Sequence, residues 1–164
     1  MRGLSLKEAN AVISGTFAEA AKRKLRPVSA IVLDAGGRVK AFQKQDGCSL
    51  LRFEIAYGKA FASLGLGRPS RLVLQKAKDK PLFMESVVNL ADGPIFLERG
   101  AQLIRDPSGE VIGAVGVTGD TGEMDDTCAI AGIHGAGLKT DDDFKDGEQV
   151  QALNIKNDDW PRGV

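Results

Sequence analysis

Residues 110–132, EVIGAVGVTGDTGEMDDTCAIAG, decide how the chain is read. Val111, Ile112, Val115 and Val117 supply the β-branched residues of a buried strand. Strand alternation sets Gly113, Val115, Val117 and Gly119 on one face and Ala114, Gly116 and Thr118 on the other. The second face has little bulk, so a helix, a partner or a flat ligand is expected to lie close to the backbone there. Asp120 then suits a helix N-cap, with Glu123 closing a capping box. The turn Thr118–Gly122 turns backbone N–H groups toward a positive helix end, which makes Thr118 and Gly119 candidates for an anion site, with Asp120 competing for it.

Working outward, Asp106-Pro107-Ser108-Gly109 is a strong turn signal that joins Ala101–Arg105 to the central strand as a hairpin. Upstream, Val28–Leu33, the turn Asp34–Gly37 and Arg38–Lys44 form another hairpin. Pro94–Leu97 is a further short strand or edge segment. Helices are expected from Ser5, which caps with Glu8, to near Lys24, and over 50–64, 70–80, 82–90 and 121–138. Gly58 weakens the second helix by up to about 1 kcal/mol relative to Ala and opens it to the close approach of a helix or subunit. Short turns imply antiparallel pairing, and helices before, between and after the hairpins give an α+β order.

The 164 residues suit one domain. Net charge is zero but unevenly placed: residues 1–80 hold 16 Lys/Arg against 6 Asp/Glu, and residues 81–164 hold 6 against 16. The simpler account is that the two halves fold together and their charges pair or are solvated. The sharper one is a basic surface that meets anionic groups, or an acidic tail that docks on a neighbouring subunit. No dense basic run interleaves with aromatics, so nucleic acid is not an expected partner, and no apolar run is long enough for a membrane span. The N-terminal MRGLSLKEAN lacks the apolar run of a signal peptide, and Cys48 and Cys128 read as reduced thiols, so a cytoplasmic address is expected. One histidine, His134, and no C-x-x-C pair argue against zinc. The same histidine count and the lack of a Gly-x-Ser-x-Gly elbow disfavour a hydrolase triad. The glycines of residues 116–122 are not the dinucleotide fingerprint. The pair Asp125-Asp126 reads first as solvated charge favouring the helix dipole, and Lys59 as a solvated lysine.

The strand GAVGVTG, the run GDTGEMDD and the Ala-rich helix resemble the signature of the GlcG/HbpS-like family of haem-binding proteins, which also supplies the C-terminal domain of some corrinoid adenosyltransferases. Ile31–Gly37 resembles that family's first hairpin, and Tyr57–Ala62 its Lys-Ala helix. The resemblance covers roughly residues 4–138. It implies a profilin-like α-β-α sandwich with a five-stranded antiparallel sheet, often assembled into tetramers or octamers. It also implies haem as cofactor, it raises Lys59 as an anion contact, and its pattern matches both Asp125 and Asp126, which raises a site role for that pair. The division expected is a GlcG/HbpS-like domain over 1–138 and an acidic arm or tail over 139–164.

A haem pocket needs apolar walls and cations for the propionates. Phe61, Phe83, Met84 and the Ala114/Gly116/Thr118 face offer walls, and Lys59, Arg68 and Arg71 offer cations. His134, Met84, Met124 and Tyr57 are the axial candidates, with none preferred. The ligand-binding set is thus Lys59, Phe83, Met84, Thr118, Gly119 and Asp125. A second function stays open: an enzyme or accessory subunit of oxyacid, diol or carbonyl catabolism, in which Lys59 and Asp125 polarise a small substrate. A third is a ligand-sensing module without chemistry.

Overall fold

A computed structural model describes residues 2–144 of the chain. The elements in order are α1 (Leu6–Lys22), β1 (Ser29–Asp34), β2 (Val39–Lys44), α2 (Arg52–Leu66), α3 (Ser70–Asp79), α4 (Pro81–Leu90), β3 (Ala101–Arg105), β4 (Val111–Thr118) and α5 (Gly122–Gly135), then a 3-10 turn, Asp141–Phe144. Helix α1 opens on a complete capping box. The Glu8 amide donates to Ser5 Oγ at 3.1 Å, and the Ser5 amide donates to Glu8 Oε2 at 3.0 Å.

The two hairpins form where the turn chemistry demands. Asp34 Oδ1 accepts from the Gly36 and Arg38 amides, and Asp106 Oδ1 accepts from the Ser108 and Glu110 amides. Antiparallel pairing of β1 with β4, from Ser29 opposite Thr118 to Asp34 opposite Gly113, welds the hairpins into one sheet of order β2-β1-β4-β3. The sheet has four strands, not the five the resemblance implies. Residues 94–97 do not pair as a strand; they lie across α2 instead. A Cβ on Gly58 would sit 2.7 Å from Phe96 Cβ and 2.9 Å from the Phe96 nitrogen. The close neighbour of Gly58 is therefore this loop of the same chain.

Helices cover both sheet faces. Val115 and Val117 of β4 meet Val12 and Ile13 of α1 and Cys128, Ala129 and Ile133 of α5 in one core cluster. Ala114 meets Ala56 and Ala60 of α2 in the other. A Cβ on Gly116 would lie 2.2 Å from the Ala56 carbonyl oxygen, so the small face of β4 is occupied by α2. A third cluster, Ala62, Val73 and Met84, ties α3 and α4 to α2. Beyond α5, Arg105 and Lys139 exchange backbone hydrogen bonds of 2.8 and 2.9 Å along the outer side of β3, and Phe144 is buried. The rest of the expected acidic arm or tail, residues 145–164, lies outside the described residues.

Candidate functional site

Lys59 leaves α2 on its sheet-facing side and is only 2% exposed. It is not the solvated lysine expected. Its Nζ donates to the Val117 carbonyl at 3.0 Å and to Asp125 Oδ2 at 3.3 Å. Asp125 Oδ1 accepts from the Asp120 amide at 3.1 Å. Burial pushes the Lys59 ammonium below the ordinary lysine value, against the pull of the Asp125 charge. Burial likewise raises the Asp125 carboxyl, against the pull of Lys59. The pair locks α2 to the end of β4 and the start of α5. Gly100, at φ +120°, lets the chain pass beside it, since a Cβ there would lie 3.0 Å from Lys59 Nζ.

The turn after β4 satisfies itself. The N-cap of α5 is Thr121, not Asp120: Thr121 Oγ1 accepts from the Met124 amide at 3.2 Å. Asp120 accepts instead from the Thr121 amide at 2.8 Å and the Arg26 amide at 3.0 Å, which hold its carboxyl below the usual carboxylate range. Thr118 Oγ1 accepts from Arg52 Nη1 at 2.8 Å. Gly119 is pressed on Pro27, whose carbonyl oxygen would lie 2.3 Å from an added Cβ. The backbone donors read as an anion site are thus taken in part by Asp120 and Asp125.

Asp126 is buried too, so the acidic pair is not solvated charge. One helical step turns the two carboxylates toward different partners. Asp126 Oδ2 accepts from Arg99 Nε at 2.8 Å, and Oδ1 accepts from the Gly100 amide and Gln102 Nε2 at 3.0 Å each. Arg99 in turn reaches an open groove of about 470 Å³ along α3. The cations Arg68, Arg71, Lys76, Lys78 and Arg99 line it with the single carboxylate of Asp79. Leu72 and Leu74 add apolar surface. Lys76 Nζ lies 5.0 Å from the centre of the Phe83 ring. Burial, then the neighbouring charges of Lys80 and Arg68, hold Lys76 below the ordinary lysine value. The structure thus brings Lys59, Thr118, Gly119 and Asp125 together at one end of β4, as closed framework. Phe83 lies under Lys76, and Met84 is buried in the α3–α4 cluster.

Of the axial candidates, His134 Nε2 is 2.8 Å from Asp143 Oδ2, and the Tyr57 hydroxyl donates to the Gly37 carbonyl at 3.1 Å. Met124 is half-buried. No group of three or more His, Cys, Asp or Glu poised for a metal occurs among the described residues, and none of the described helices is long and apolar enough to cross a membrane. Pairs such as Lys59–Asp125, Arg26–Asp120 and Arg71–Asp142 join the basic first half to the acidic second half. Sequence reasoning missed Arg99. Its one local signal is the following Gly100, whose positive φ aims the loop.

A family model described as haem degrading protein HbpS-like matches residues 4–134. The chain belongs to the HbpS-like family. This HbpS-like chain shares its fold with the PduOC–haem complex at a TM-score of 0.74 and 18% identity, over 85% of this chain and 99% of that one. A double mutant of HbpS from Streptomyces reticuli superposes at a TM-score of 0.71 and 21% identity, over 82% of this chain and 87% of that one. The Klebsiella pneumoniae protein ORFY does so at 0.74 and 21%, over 84% and 92%. At these identities the likeness is one of fold. No curated protein matches the HbpS-like chain by sequence.

Proposed function

We propose that this chain binds haem or a related tetrapyrrole, seated in the α3 groove. The observation that carries the reading is the groove itself, where Arg68, Arg71 and Arg99 stand beside Leu72 and Leu74. A tetrapyrrole with propionate arms asks for that combination of cations and apolar surface. Family membership and a relative solved with haem support it. The slot against β4 does not fit the group, because α2 fills it and Lys59 is enclosed. Haem, when bound, supplies iron-centred redox and ligand-exchange chemistry. The chain's own part is to bind the carboxylates with Arg68 and Arg71 and to cover an edge of the ring with Leu72 and Leu74. Lys59, Thr118, Gly119 and Asp125 serve this site from behind, while Phe83 and Met84 support Lys76 and the α3–α4 layer.

The alternative, catabolism of a small oxyacid, diol or carbonyl, needs Lys59 Nζ to reach a substrate. Its two acceptors and enclosure make this the lesser reading. We also propose a homo-oligomer of tetramer or octamer size and a cytoplasmic address. The exposed Leu50, Leu51 and Phe53 support the first, and the unpaired thiols Cys48 and Cys128 support the second.

The test is a hemin titration of the full chain followed at the Soret band. A saturable band is expected at a fixed ratio of haem to chain. Replacing both Arg68 and Arg71 by Ala should weaken it by about tenfold or more. A weak signal that never saturates, matched by an unrelated protein, would overturn the proposal. Turnover of a small oxyacid by the haem-free chain, abolished in Lys59→Ala, would install the alternative.

A further inference from the structure

One of the groove cations, Arg99, is fixed in place by the framework behind it. The guanidinium of Arg99 is hydrogen-bonded to a buried carboxylate of the framework. Asp126, 3% exposed, takes Arg99 Nε at 2.8 Å. Its other oxygen, Oδ1, accepts from the Gly100 amide and Gln102 Nε2, so three donors fix the carboxylate. The loop that carries Arg99 is pinned as well: a Cβ on Gly122 of α5 would meet Arg99 Cβ at 2.9 Å. Among the described residues the terminal guanidinium nitrogens of Arg99 have no hydrogen-bond partner, although the side chain is 38% exposed and lines the groove.

A guanidinium held by its Nε presents its two terminal nitrogens as a preset fork, the geometry that receives a planar oxyanion through two parallel hydrogen bonds. Immobilising it in advance removes ordering cost from the binding step. At Arg71, another residue of the groove lining, the chain supplies its own carboxylate: Asp142 Oδ1 stands 3.7 Å from Arg71 Nη2. The rim already accepts a carboxylate, then, at an exposed place where a ligand's could exchange with it.

We propose that Arg99 is the groove's anchor for a carboxylate or phosphate group of the ligand, that Asp126 is its positioning residue, and that Arg71 is a second contact shared with Asp142. The assignment rests on the groove being the ligand's seat. It requires an oxyanion but no iron.

The experiment therefore uses iron-free dianions. The full chain is titrated with succinate and, separately, with inorganic pyrophosphate, while the arginine Nε–Hε resonances are followed by NMR. The expected result is a saturable shift of the Arg99 signal with at least one of the two, and the stronger of them names the carboxylate or the phosphate source. Arg99→Lys keeps the charge, loses the fork and should weaken binding about tenfold. Asp126→Asn should broaden the Arg99 signal and weaken binding several-fold, with Asp126→Glu restoring part of both. Lys40→Ala, on strand β2, should change neither. Binding by Arg99→Lys equal to wild type, or a shift that never saturates, would overturn the proposal. So would equal weakening by Lys40→Ala, which would mark simple screening. Anion binding without hemin binding would sink the haem reading and leave the anchor standing. Hemin binding indifferent to Arg99→Lys, with no anion response, would do the reverse.

Discussion

Replacing Lys59 by Met tests the closed ion pair most directly. Met keeps the side chain out to its ε position and removes the ammonium. Asp125 Oδ2 then loses the donor it has at 3.3 Å, and the Val117 carbonyl loses the one it has at 3.0 Å. Both partners are 2% exposed, so water does not replace the lost contacts. Breaking a buried pair from one side costs about 3–5 kcal/mol, because the other charge is left without compensation. In a domain of this size that is a fall of roughly 6–20 °C in Tm. Asp125→Asn keeps an acceptor for the Asp120 amide and should cost a comparable amount by stranding the ammonium. The double variant strands neither charge. It should be more stable than the sum of the single losses predicts, by at least about 1.5 kcal/mol. Urea unfolding followed by circular dichroism at pH 7 on all four proteins closes the cycle. A loss below about 1 kcal/mol for Lys59→Met, or simple additivity, would refute the reasoning.

Two further outcomes follow from packing and turn chemistry. Gly58→Ala would stabilise an exposed helix by up to about 1 kcal/mol, but here the new Cβ meets Phe96, so Tm should fall, by about 1–3 kcal/mol in stability. Asp106 is held below the usual carboxylate range by the Ser108 hydroxyl first and then by the amides of its turn. A depressed folded value means stabilisation that is present above the unfolded value and lost as pH falls through the folded one. Asp106→Asn should therefore flatten the loss of stability below about pH 4, read from urea midpoints between pH 6 and 2.

Much of the fold was legible because its instructions are local. Ser5 and Glu8 are three residues apart and cap the same turn, and Asp34 and Asp106 each organise their own hairpin. The bare face of β4 correctly announced a close neighbour, and α2 is that neighbour. What was illegible depends on partners distant in sequence. Nothing near Lys59 marks it as buried, because its acceptors come from β4 and α5. The N-cap of α5 slipped from Asp120 to Thr121 because Asp120 was drawn away by the Arg26 amide, 94 positions earlier. Asp125 and Asp126 look alike on paper and diverge in three dimensions, one facing a lysine and the other an arginine. Residues 94–97 have strand-like composition, yet the bare backbone of Gly58 offers them a berth on α2.

The short bridge between Arg105 and Lys139 has a bearing on self-association. It closes the far side of β3 at Arg105, so a ladder along that margin is interrupted at its end, whereas among the described residues no strand pairs with the outer side of β2. A sheet with one usable margin can pair once, about a twofold axis, and the act of pairing consumes that margin in both copies. Ladder growth at that margin terminates at two chains by its own symmetry, and the larger assembly proposed above would use other surfaces. A sheet open on both sides could recruit copies without end, and the paired backbone of Arg105 and Lys139 obstructs that route to fibres.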